Sequence, residues 1–238
     1  MFPKTFFSFV LGLILLFGHA QTKTYIGISF GTTFSTFKSN TLFFTYDYKL
    51  GYRINVPVVF SYSRKLSFST GLSFLNVGAT QHLSWGVKYS MDPNDPIYQG
   101  FFESENTFKN QLNYLSIPLA LTFNQRIQSV FMYEKIGACV SYLVSAKEKM
   151  IDDAQSYETK INLLDGTMNK FDAGILLGIG FFKHVGRGRV FAEAEYMIGK
   201  SNIYKSNNLM FPTSSEVFNR SFFLNIGYII RIGKSTCY

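Results

Sequence analysis

Val190–Gly199 reads VFAEAEYMIG, and its period decides the fold. Val190, Ala192, Ala194, Tyr196 and Ile198 alternate with Phe191, Glu193, Glu195, Met197 and Gly199. Successive side chains of a strand point to opposite faces, so this segment has an apolar wall and a wall carrying two carboxylates. In a soluble sandwich or lipocalin-type barrel the apolar wall would line a core. In a membrane barrel it would face lipid, with Glu193 and Glu195 in the lumen. The rest of the chain chooses between these.

Seven further segments alternate in the same way, at 24–36, 46–62, 66–81, 112–123, 131–145, 171–182 and 221–233. One face is continuous and apolar, as in Tyr52, Ile54, Val56 and Val58, or Ile175, Leu177 and Ile179. The other is glycine, serine and charge, which is poor material for an apolar ligand cavity. Gly174, Gly178 and Gly180 share that second face, where they permit curvature and close approach across a narrow lumen. Pro118 lacks a ladder donor and is expected to mark a bulge or local break. The strand count is even. The connections at 63–65, 124–129 and 183–188 are short, whereas 82–111, 146–170 and 202–220 are long and polar. Short turns on one rim and long loops on the other define an eight-stranded antiparallel up-and-down transmembrane β-barrel, with both termini on the periplasmic side.

Composition agrees. Aromatic residues make up 18% of the 238 residues, with 26 Phe and 15 Tyr, which suits strands and interfacial girdles. Charged residues, at 16%, fall below the roughly 25% of ordinary soluble proteins. The mean hydropathy of +0.08 does not suggest a helical membrane protein. Residues 1–20 read as a signal peptide: Lys4, the apolar run Phe6–Phe17, then the small-x-small site Gly18-His19-Ala20. The barrel domain is then 21–238. Without Lys4 the chain keeps 22 basic and 15 acidic residues, a net +7. Export argues against nucleic acid as partner, and Lys and Arg are scattered along the sequence, so anionic lipid head groups are the better reading. Cys139 and Cys237 make no disulfide framework and read as lone small apolar residues.

Several stretches resemble the outer-membrane β-barrel domain of porin-family (PorT-type) proteins of Gram-negative cells. They are Tyr114–Leu121 (YLSIPLAL), Gly137–Ala146 (GACVSYLVSA), Lys170–Gly180 (KFDAGILLGIG) and Glu193–Ile203 (EAEYMIGKSNI). The resemblance runs from about residue 24 to 233 and is strongest over 112–203; Glu195 stands where the family pattern has a basic residue. It implies the fold and an outer-membrane location. The porin label does not imply solute passage, and one member is tied to a secretion system.

Three functional readings follow. By parity Asp47, Lys49, Arg53, Lys135, Asp172, Glu193, Glu195 and Arg231 all face inward. Buried charges need partners, and an eight-stranded lumen is just wide enough for side chains to fill it. These eight residues are therefore expected to form a lumenal charge network, in preference to a catalytic pairing of Glu193 with Glu195, and an open pore is not expected. The second reading is binding or assembly with a protein partner through loops 82–111 and 146–170, which carry Tyr98, Phe101, Phe102 and Phe108. The third is a lipid-modifying enzyme. His82-x-Ser84 is weakly similar to the His-x-Ser pairing of barrel-type lipid A deacylases, with Glu103 or Glu105 as orienting acid by assumption. No metal cluster, phosphate loop, nucleophile elbow or cofactor motif occurs. The expectation is a monomeric, non-enzymatic barrel without cofactor or nucleic acid, in contact with outer-membrane lipid.

Overall fold

The structure, a computed structural model, describes residues 23–40, 44–90, 99–151, 156–161, 167–205 and 216–232. The signal peptide and Cys237 lie outside them. Nine strands follow in order: β1 (Lys23–Ser39), β2 (Phe44–Ser61), β3 (Leu66–Ser90), β4 (Gln99–Ile127), β5 (Val130–Ile151), β6 (Ser156–Ile161), β7 (Phe171–Val185), β8 (Gly188–Gly199) and β9 (Val217–Ile232). Every pairing is antiparallel. β1 to β5 pair in sequence, β5 pairs β7, β7 pairs β8, β8 pairs β9, and β9 returns to β1. The ring therefore closes on eight strands. The short β6 stands outside it, paired with the far end of β5.

Alternation builds the wall as the periodicity requires. On β8, Val190 and Tyr196 are exposed while Phe191, Glu193, Glu195 and Met197 are buried. Outward side chains such as Phe30, Ile54, Leu115, Ile136, Ile179 and Ile226 form an apolar belt around the whole barrel. Outward aromatic pairs mark its edges: Tyr142 and Phe171 at one rim, with centroids 5.2 Å apart, and Phe60 and Phe68 near the other, 6.4 Å apart.

Two expectations are corrected and one is narrowed. The long polar connection at 82–111 is largely strand: β3 and β4 run on as a paired hairpin to Ser90 and Gln99. Likewise part of 146–170 extends β5 and folds back as β6. At about 3.3 Å per residue, the 29 residues of β4 reach roughly 95 Å along the strand, against roughly 40 Å for the 12 residues of β8. One side of the barrel thus projects well beyond the other at the loop end. Second, of the two alternatives at Pro118, the structure has the local break and not the bulge. The β3 ladder lapses between Ser116 and Leu119 and resumes without a register shift, while the β5 side is continuous. Third, the lumen is not polar throughout. In its loop-side half Tyr114, Leu143, Leu176, Met197 and Phe223 pack with Met168 and Tyr204, which form a β-bridge beyond the loop-side ends of the neighbouring β7 and β8. A barrel this narrow has no room to hydrate polar groups along its length, so part of its interior packs like a soluble core. Cys139 is a free, buried thiol within it.

Candidate functional site

Below the apolar half, four charged side chains from three strands meet in the lumen. Arg53 on β2 donates from Nη1 to Glu195 Oε2 on β8. Lys135 on β5 donates from Nζ to Glu195 Oε1 at 2.7 Å and to Glu193 Oε2 at 2.5 Å. Tyr133 OH donates to Glu193 Oε2 at 2.8 Å. The amide of Asn225 on β9 donates to Glu193 at 3.3 Å and Glu195 at 3.4 Å. Each carboxylate thus accepts from three donors, and the two positive charges balance the two negative ones. Arg53 also donates to Ser73 Oγ at 3.3 Å, whose hydroxyl donates to Asn55 Oδ1 at 2.8 Å. The Asn55 amide reaches Ser29 Oγ at 3.3 Å. The face of Phe223 packs 4.8 Å from the Arg53 guanidinium carbon and joins this layer to the apolar half.

The strands permit this because β7 crosses the site without side chains. A Cβ on Gly180 would lie 2.5 Å from Tyr133 Cζ, and one on Gly178 3.1 Å from Glu195 Cγ. A side chain at Gly180 would collide with the Tyr133 ring that lies over it, whereas at Gly178 the fit is tight and Glu195 would have to give by a few tenths of an ångström. Beneath the charges a cavity of about 60 Å³ separates them from an aromatic floor, room for only a few waters. The floor is Tyr25, Phe182, Phe191 and Ile229. The Arg189 guanidinium carbon lies 3.9 Å from the Tyr25 ring centroid and 4.6 Å from that of Phe182, and Arg189 Nη2 donates to Tyr25 OH at 3.0 Å.

The other four residues expected in the network lie elsewhere. Lys49 faces inward but donates to Asn76 Oδ1 at 3.2 Å, and that amide passes on to Asn113 and Ser145. Asp172 is buried near the loop end and accepts the Ser201 backbone N–H at 3.4 Å. Arg231 sits half-buried at the turn end and joins no ion pair among the described residues. Asp47 is outside: its side chain is 74% exposed and bonds His82 Nε2 at 3.2 Å. The cause is a one-residue slip. Tyr48 pairs with Ala79, but Arg53 pairs with Leu75, so the β2–β3 register shifts between them. A slip of one residue turns every side chain beyond it to the other face. Strict parity carried from Arg53 to Asp47 misses this. Tyr133 and Asn225 were not among the eight expected residues, although each shares an inward face with charges of its own strand, Lys135 and Arg231, and that parity was the signal for them.

His82 is held on both ring nitrogens, by Asp47 and by Thr107 Oγ1 at 3.2 Å. The side chains of Ser84, Glu103 and Glu105 lie outside the described residues. Among the described residues no group of three His, Cys, Asp or Glu is placed to hold a metal ion.

A closed eight-stranded ring with a lipid-facing apolar belt and a filled lumen defines an outer-membrane β-barrel. The sequence matches the outer membrane protein beta-barrel domain family over residues 19–205, and the chain belongs to that family and resides in the outer membrane. The fold is similar to that of Neisserial surface protein A, at 12% identity over 88% of this chain and 97% of that one, with a TM-score of 0.44. It is also similar to OprG from Pseudomonas aeruginosa, at 12% identity over 92% and 99% of the two chains and a TM-score of 0.46. Ail, the attachment invasion locus protein of Yersinia pestis, is similar at 16% identity over 87% and 99%, with a TM-score of 0.38. No curated protein matches the sequence.

Proposed function

We propose that this barrel is a closed, non-enzymatic scaffold that carries a binding or assembly surface on its projecting hairpins. The observation that carries the reading is the division of the structure. The lumen is filled by an apolar layer, a neutral ionic layer and an aromatic floor, which leaves little room for solute. The β3–β4 and β5–β6 hairpins instead extend one wall past the rim. Elements that project from a rigid frame are where binding residues gather. The lumenal ionic layer serves the frame: both carboxylates are saturated by donors, so neither is free to act as an acid or base on a substrate. A role within a membrane assembly fits such a surface; one PorT-type member is tied to a secretion system.

The test is capture from detergent-solubilised membranes with the full chain and with a variant in which residues 84–104 are replaced by a tight turn. A protein partner should co-purify with the full chain and be lost from the shortened one, while both give the same barrel spectrum. Equal capture by both forms would move the binding surface off the β3–β4 hairpin. Large stable conductance in planar bilayers would contradict the closed lumen.

A further inference from the structure

The basic residues that are scattered in sequence are gathered by the topology. Every short turn arrives at one rim. There stand the exposed side chains of Lys23 at the start of β1, Arg64 and Lys65 between β2 and β3, Arg126 at the end of β4, and Lys183 and Arg187 around the β7–β8 turn. Arg189 and Arg231 add two half-buried cations on the lumen side of the same end. Against these eight, the described residues of that end offer two carboxylates, the exposed Glu134 and the lumenal Glu193, which is already bonded by Lys135, Tyr133 and Asn225, and none of the eight forms an ion pair among the described residues. At the loop end, by contrast, Asp47, Glu148, Glu158, Asp172 and Glu216 are interspersed with lysines.

Depth decides what this ring faces. The exposed cations stand at the depth of the last lipid-facing side chains of the apolar belt: Arg126 precedes Ile127, and Val185 lies between Lys183 and Arg187, while Ile232 marks the same level on β9. Ile127, Val185 and Ile232 are each about half exposed, at 49%, 48% and 51%. Cations directly flanking the hydrocarbon boundary stand at head-group depth, where their long stems can reach phosphates while staying along the apolar wall. We infer that the turn rim is a binding collar for anionic phospholipid head groups of the leaflet at that end. Its occupant is the phosphate-bearing lipid itself. A soluble polyanion would call for cations standing clear of the belt. The inference is independent of the hairpin reading, because it concerns the opposite rim.

The full folded chain is purified from mixed micelles of phosphatidylcholine and phosphatidylglycerol, and the lipid retained is quantified. Phosphatidylglycerol should be enriched, and the enrichment should collapse near about 0.5 M salt, where charges are screened within a few ångströms. The combined variant Arg64→Gln, Lys65→Gln, Lys183→Gln and Arg187→Gln should lose most of it, at least several-fold given the strength of one basic residue near an anionic surface. Replacing Arg64 and Arg187 by Lys keeps the charge and should keep the enrichment. Lys109→Gln, Lys147→Gln, Lys149→Gln and Lys160→Gln at the loop end should leave it intact. The proposal is overturned if the turn-end and loop-end variants behave alike. It is also overturned if the collar binds soluble polyphosphate in zwitterionic micelles without enriching phosphatidylglycerol.

Discussion

Glu195→Gln is the sharpest test of the ionic layer. Glutamine keeps the size of the side chain and removes one charge. Glu195 is 1% exposed and bonds Arg53, Lys135 and Asn225. Its substitution turns a neutral group of four into one with a net charge of +1, and Arg53, itself 5% exposed, loses the carboxylate it faces. Removing one partner of a buried pair costs about 3–5 kcal/mol, because the remaining charge stays desolvated and uncompensated. Lys135 retains Glu193 at 2.5 Å, which places the expected loss toward the lower end of that range. Arg53→Gln combined with Glu195→Gln removes one charge of each sign and restores neutrality. The double variant should therefore cost less than the two singles together, with a coupling of about 1–3 kcal/mol. Glu193→Gln with Glu195→Gln should be worse than either alone, since both cations then lack a counter-charge. The measurement is urea unfolding of the refolded barrel in lipid vesicles, followed by far-ultraviolet circular dichroism. Additivity of the Arg53 and Glu195 singles within about 0.5 kcal/mol would refute the reasoning, as would a Glu195→Gln barrel as stable as the parent.

Two further outcomes follow from local geometry. Gly180→Ala places a methyl group 2.5 Å from Tyr133 Cζ and 2.7 Å from the Ala192 carbonyl oxygen. It should destabilise the barrel by about 1–3 kcal/mol through overpacking, and Tyr133→Leu should relieve part of that loss in a double-variant unfolding cycle. At the loop end Glu158 accepts from Lys147 Nζ at 2.8 Å, and that bond, with the charge behind it, holds the Glu158 carboxyl below its ordinary range. A depressed carboxyl contributes above its unfolded pKa of about 4.3 and loses the contribution as pH falls through the lower folded value. Amide protection in β6 should therefore be flat from neutral pH down to about 5 and decline only in the acid range. Lys147→Gln should abolish that acid step; persistence of the step in this variant would assign it to another group.

The fold was legible because one side of each strand must meet hydrocarbon. An unbroken apolar face on eight segments admits few other architectures, and the short connections located one rim directly. Function-bearing geometry was less legible, for reasons that can be named. Period two assigns faces only between irregularities. The slip between Tyr48 and Arg53 puts Asp47 beside His82 on the outer wall, and nothing in the local sequence marks its position. Hairpin extensions were hidden by the opposite effect. Beyond the membrane both faces of a strand meet water, so the apolar alternation that signals a strand fades although the ladder continues from Leu83 to Ser90. The basic collar was invisible along the chain because its members belong to different turns, and only closure of the ring brings them together.

An ionic layer in mid-lumen also raises the question of why the apolar packing above it does not simply continue. Buried ion pairs are often no more stabilising than apolar residues of equal volume, so stability alone does not account for Arg53, Lys135, Glu193 and Glu195. Register does. A strand pairing that slips by one residue sends its inward side chains into lipid. For an apolar lumenal residue that exchange costs little, because both environments are apolar. For Glu195 or Lys135 it would place an unpaired charge against hydrocarbon. The layer therefore penalises slips of β2, β5 and β8, the strands that carry it, far more than apolar packing does. The variant Arg53→Met, Lys135→Met, Glu193→Leu and Glu195→Leu should keep or gain equilibrium stability yet lose uniqueness. Its backbone amide spectrum in micelles should show doubled resonances for residues of β5 and β8, while the parent shows one set. A single set of resonances at the parental register would show that the charges do not specify it.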